Sequence, residues 1–156
     1  MWTLQIATPY GVAVESPAVF RHEFTVTADA IDTNSHVNNV AFVQWMQDVA
    51  IRHFAALGGV EPMRAAGGAW VVRSHHVEYL SPAFADERLQ VATWVVDVSR
   101  VRSTRRYEFW RGDKLLVRGE TDWVFVNAAS GKPSSIPDAI KHALSRASVA
   151  QGSSSA

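Results

Sequence analysis

From Asn39 to about Leu57 the apolar residues Phe42, Trp45, Met46, Val49, Ala50 and Phe54 recur at spacings of three and four, the period of a helix that buries one face. Gly58-Gly59 follows and ends it. A second helix is predicted over Asp138–Ala147, with Pro137 at its entrance. Everything between the two reads as strand. Four β-rich runs, Ala69–Tyr79, Arg88–Ser99, Ser103–Arg111 and Lys114–Asn127, are separated by SPAFADE, by SRVR and by Gly112-Asp113, which predicts antiparallel hairpins. The last run alternates best, with Leu115, Val117, Gly119, Thr121, Trp123 and Phe125 on one face and Arg118, Glu120 and Asp122 on the other. A further strand, about Ala18–Val26, precedes the first helix. The expected class is α+β, one long helix packed on one antiparallel sheet of about five strands.

Composition narrows the function classes. The chain has 156 residues, 47% of them hydrophobic with six Trp and seven Phe, which suffices for one core. Fifteen basic and fifteen acidic residues balance to a formal charge of zero, so no basic excess is available to neutralise nucleic-acid phosphates. No Cys is present, which excludes disulfides, thiolate metal sites and Cys nucleophiles. No window resembles a membrane span, and Met1–Pro17 lacks the pattern of a signal peptide, so the expectation is a cytoplasmic protein without a membrane partner. Residues 1–147 are expected to form a single domain, and residues 148–156, SVAQGSSSA, a flexible tail.

The stretch with candidate chemistry is Ala30–Trp45, AIDTNSHVNNVAFVQW, where Asp32, Asn34, His36, Asn38 and Asn39 crowd against the start of the helix. Such groups can serve two purposes. Asn38 or Asn39 can cap the helix while Asp32 and Asn34 make a turn. Alternatively, the unpaired N–H groups and positive dipole end of the helix stabilise an oxyanion, with a nearby carboxylate as general base or nucleophile.

The run Asp32-Thr-Asn34-Ser-His36-Val-Asn38-Asn39-Val-Ala-Phe42 closely resembles the D-x-N/G-x-H-V-N-N-x-x-Y/F signature of hotdog-fold thioesterases, the 4-hydroxybenzoyl-CoA thioesterase-like group and the plant acyl-carrier-protein thioesterases. His76-Val-Glu78-Tyr-Leu-Ser-Pro82 with Asp86-Glu-Arg-Leu, and Gly131-Lys-Pro133 through Ile136-Pro137, resemble later segments of that family in matching order. The resemblance implies a hotdog fold, a long helix wrapped by a curved sheet, assembled as a homodimer or homotetramer with active sites at the subunit interface. It implies hydrolysis of an acyl-CoA or acyl-carrier thioester with no cofactor beyond the coenzyme A of the substrate, and no metal. Asp32 then falls on a catalytic Asp, Asn39 on the helix-start residue whose N–H polarises the thioester carbonyl, and Asn34 and His36 on residues of the plant enzymes' catalytic loop. Asn38 and Phe42 are expected at the substrate. Two departures are Gln47, where many relatives carry Glu, and Phe42, where the family has Tyr.

Arg100, Arg102, Arg105 and Arg106 around Ser103-Thr104 form a basic cluster. The resemblance puts Arg102, Ser103, Thr104 and Arg105 on the strand that meets the coenzyme's nucleotide, where guanidinium groups suit phosphates. A solvated sheet edge, guarded by charge, is the plain reading of the same residues. His75 and His76, adjacent on a strand, face opposite ways and make no metal pair. His22, His53 and His142 carry no functional signal. A hydratase or dehydratase on acyl thioesters, using Asp32 and His36, and a non-catalytic acyl-thioester-binding subunit remain as alternatives. Independently of family, a single sheet and helix cannot cover this many aromatic residues, so a homo-oligomer is expected.

Overall fold

The computed structural model describes residues 6–7, 13–14 and 18–149. A short ladder pairs β1 (Ile6–Ala7) with β2 (Ala13–Val14). The main sheet has five antiparallel strands: β3 (Phe20–Thr25), β4 (Gly68–Tyr79), β5 (Arg88–Val98), β6 (Arg102–Arg111) and β7 (Lys114–Asn127), in the order β3-β5-β6-β7-β4. Among the described residues there are three α-helices, α1 (Asn39–Ala56), α2 (Val60–Ala65) and α3 (Asp138–Ser145), and a short 3-10 turn at Ala28–Ala30. The α+β class and the five antiparallel strands agree with the sequence expectation.

Helix α1 begins where the pattern places it because Asn38 caps it, its side-chain oxygen accepting the Val40 N–H at 2.9 Å. Its 18 residues span about 27 Å at 1.5 Å per residue. Phe42, Met46, Val49 and Ala50 form the buried stripe, packed against Val91 of β5, Tyr107 and Phe109 of β6, and Val117 of β7. The helix approaches β7 so closely at Gly119 that a Cβ there would stand 2.7 Å from the Met46 sulfur. At the helix's far end, Phe54 joins Val95, Phe125, Ile140 and Leu144 in a second cluster under α3.

The six-residue α2 is an addition to the sequence reading. Gly58-Gly59 and Pro62 mark this stretch as a break, yet Pro62 is the third residue of α2, where the missing N–H has no intrahelical acceptor to lose. Ordered backbone also continues beyond α3. The Ser148 position bridges Val95, and the Val149 N–H bonds to the Val95 carbonyl at 3.1 Å, so the first two residues of the expected tail lie along β5. Residues 150–156 of that tail lie outside the described residues, as does most of Met1–Pro17. Among the described residues no helix is long and apolar enough to cross a membrane.

Candidate active site

The loop ahead of α1 is a small closed hairpin. Ile31 bridges Val37, the Asp32 N–H donates to the His36 carbonyl at 2.9 Å, and the Ser35 N–H donates to the Asp32 carbonyl at 3.1 Å. Ser35 sits at φ 64, the left-handed conformation that lets so short a loop reverse. An Asp32 carboxylate oxygen accepts the Asn34 N–H at 2.8 Å, which fixes the carboxylate's orientation. Two further bonds hold the loop in place: Val37 N–H to the Ala83 carbonyl at 2.9 Å and Asn38 N–H to the Ala30 carbonyl at 2.8 Å. The turn-making reading of Asp32 and the capping reading of Asn38 are therefore both realised. They leave Asp32 half-buried with Asn34, His36, Asn38 and Asn39 exposed around it.

Two aromatic residues outside the signature frame the loop. The His36 ring meets Phe84 edge-on at 5.1 Å. Tyr79, at the end of β4, donates its hydroxyl to the Asn39 carbonyl at 2.8 Å, and its ring lies 5.9 Å from Phe42. Phe42 itself is buried, edge-on to Trp45 and Phe109, so it supports the loop from within the core.

The basic cluster is not one patch. Strand β6 lies in the centre of the sheet, so it is neither a solvated edge nor a free rim. Alternation sends Arg102, Thr104 and Arg106 to the outer face. There Arg102 pairs with Asp122, Thr104 donates to the same carboxylate at 2.8 Å, and Arg106 pairs with Glu120 at 2.9 Å. The Thr104 hydroxyl first, and then Arg102, holds the Asp122 carboxyl below its ordinary range. Arg102 and Arg106 are thus each paired with a carboxylate on that face. Arg100 instead bonds the Ser135 hydroxyl at 2.9 Å.

Ser103 and Arg105 face inward, and Arg105 is 4% exposed. Its Nη1 lies 2.8 Å from His53 Nδ1 and 3.1 Å from the Thr93 hydroxyl. Burial, reinforced by the Arg105 charge, lowers the His53 pKa to about 3, so this imidazole is neutral and accepts from the guanidinium. His53, which carries no signal in the sequence, is a buried partner stacked on Phe20 at 4.9 Å. A bulge at Arg73 shifts the parity of β4 and turns His75 inward, where Nδ1 meets the Thr121 hydroxyl at 2.8 Å. His76 stays exposed beside Glu78, so the two histidines do face apart.

A cavity of about 370 Å³ opens between the second half of α1, α2 and the inner face of the sheet. Gln47, Ile51, Trp70, Trp123, Ser103 and Arg105 are among its lining residues. The Asp32 loop of the same chain is not among them. Gln47 lies eight residues into α1, about 12 Å from the helix start at 1.5 Å per residue.

Residues 26–144 match the model of the thioesterase-like superfamily. The chain belongs to that superfamily. Solved structures of similar fold include a 1,4-dihydroxy-2-naphthoyl-CoA thioesterase from Synechocystis, 20% identical with a TM-score of 0.73, covering 81% of this chain and 96% of that one. A Staphylococcus aureus protein solved in complex with CoA is 18% identical, with a TM-score of 0.76 over 83% of each chain. These likenesses show the fold, a five-stranded antiparallel sheet with helices as in the hotdog thioesterases. Among curated proteins, an L-carnitine dehydrogenase/betainyl-CoA thioesterase from Ruegeria pomeroyi is 26% identical over 126 residues, 81% of this chain. The aligned segment is about a quarter (26%) of that relative's length.

Proposed function

We propose that the chain hydrolyses an acyl-CoA thioester to the free acid and the thiol, with Asp32 as general base or nucleophile and the start of α1 as the oxyanion site. Membership of the thioesterase-like superfamily sets the reaction class. The observation that carries the residue assignment is the Asp32 carboxylate, half-buried and oriented by the Asn34 N–H, in a loop pinned to a capped helix start. A thioester is activated enough for one carboxylate and an oxyanion site to suffice. As base, Asp32 takes a proton from water as the water oxygen bonds to the carbonyl carbon. The tetrahedral oxyanion is held by the Asn39 N–H until the C–S bond breaks and the thiolate leaves. Asn34 and His36 orient water or substrate beside the carboxylate. This chemistry needs no metal or redox cofactor.

The working unit on this reading is a homo-oligomer. Within one chain the cavity and the Asp32 loop are separate. Ile51, which lines the cavity, is 62% exposed, and β4 is an edge strand of the sheet; a second copy would cover both. A two-fold pairing through this side brings the loop of one subunit to the cavity of the other. CoA as the carrier is supported by the CoA-bound and CoA-thioesterase relatives. Release of free thiol from a panel of acyl-CoA esters, combined with light scattering on the active species, tests both parts. Activity carried by a 17.2 kDa monomer would refute the shared site.

A further inference from the structure

Arg105 is a buried cation with only neutral company. Its Nη1 uses the lone pairs of a neutral imidazole and a hydroxyl, and it forms no ion pair among the described residues. Taking a guanidinium out of water is costly even after relaxation, and neutral acceptors offset only part of that cost. A guanidinium has five N–H donors. Those on Nε and Nη2 have no acceptor among the described residues, and neither nitrogen is sealed off from solvent. The same residue lines the 370 Å³ cavity, whose walls are otherwise mostly apolar. The pocket therefore combines an apolar lining with the unused donors of one uncompensated positive charge.

We propose that this cavity is an acyl pocket for chains that end in a carboxylate, and that Arg105 is the residue that recognises that end. The inference rests on the thioesterase reading and adds its substrate class. A carboxylate arriving at the guanidinium would supply the missing acceptors and the missing counter-charge together, in the bidentate geometry that guanidinium favours. His53 and Thr93 act as positioning residues, holding the guanidinium from the side away from the ligand. A neutral alkyl end would leave the charge unpaired, and a trimethylammonium end would meet like charge in a medium that screens poorly. The volume falls within the range of small-molecule sites and accommodates a medium-length or single-ring acyl group.

The test compares matched CoA esters on the unmodified protein: adipoyl against hexanoyl, and 4-carboxybenzoyl against 4-methylbenzoyl, with betainyl-CoA as the cationic arm. The carboxylate-ended ester of each pair is expected to have at least tenfold higher kcat/KM, and betainyl-CoA the lowest. In Arg105→Met, and in the polar but uncharged Arg105→Gln should the first fold poorly, the ratio within each pair falls toward one. Equal kcat/KM within the pairs, preference for betainyl-CoA, or an equal loss on both esters in the variants would overturn the proposal. Binding of the non-hydrolysable thioethers S-(5-carboxypentyl)-CoA and S-hexyl-CoA by calorimetry separates this claim from catalysis. Failure to hydrolyse any ester removes the thioesterase reading, whereas equal affinity for the two thioethers removes only the carboxylate pocket.

Discussion

The Tyr79 hydroxyl donates to the Asn39 carbonyl at 2.8 Å, tying the last residue of β4 to the first residue of α1. A carbonyl in the first helical turn already has an intrahelical role, so the phenol adds a second bond from outside the helix and fixes how the helix start sits over the sheet. Burial raises the Tyr79 pKa, so the phenol stays protonated and donating through the neutral range.

Tyr79→Phe is expected to cost about 0.5–1.5 kcal/mol of stability, the usual net worth of one such bond. Because the bond positions the proposed oxyanion donor, turnover should fall more than substrate affinity. Denaturant unfolding and steady-state kinetics on the variant check both parts.

Stability should change with pH in two opposing directions. His53 has a folded pKa of about 3 against an ordinary 6.5, so between these values the unfolded chain binds the proton and the folded chain does not. Its neutral form favours folding fully above about pH 6.5, and that contribution is lost as pH falls toward 3, at up to about 1.4 kcal/mol per pH unit. Glu108 is the reverse case. Burial, opposed by Arg118, pushes its carboxyl up to about 8 against an ordinary 4.5, so its contribution is complete below 4.5 and lost as pH rises through 8. Melting temperature should therefore fall below about pH 4.5, change little between about 4.5 and 6.5, and fall again above. Glu108→Gln should remove the alkaline decline and leave the acid one.

Gly119→Ala should destabilise by about 1–3 kcal/mol, the cost of overpacking a filled core. The new methyl meets the Met46 sulfur at 2.7 Å and its methyl at 2.8 Å, with Met46 itself fully buried. Met46→Ala in the same chain should restore part of the loss, a coupling that a double-mutant cycle reads directly.

The sequence exposes the elements of this fold more fully than their neighbours. Period and punctuation locate α1, the four long strands and α3 within a few residues, because the burial of a face sets the period and Gly or Pro marks several of the boundaries. Strand order is not written in any such pattern, and for that reason the arginines of β6 read as an edge although β6 is central. One signal for Arg105 was available: it shares parity with Ser103, Tyr107 and Phe109, the inward positions, whereas Arg102 and Arg106 do not. The inward turn of His75 depends on the bulge at Arg73, which no residue type announces. The Asp32 loop was legible because its polar residues must satisfy a helix end. His53 and Trp70 were not, since Trp70 lines a cavity formed by elements far apart in the chain and His53 meets its partner Arg105 across 52 residues of sequence.

The central claim is that Asp32 carries the chemistry, and thiol release by Asp32→Asn against the unmodified protein tests it most directly. The substitution keeps the side chain's shape and its oxygen for the Asn34 N–H, so folding should be preserved. Turnover of the best CoA ester is expected to fall by about 10²–10⁴, the usual contribution of a general base, with substrate binding little changed. A folded Asp32→Asn variant that releases thiol at the unmodified rate would contradict the account.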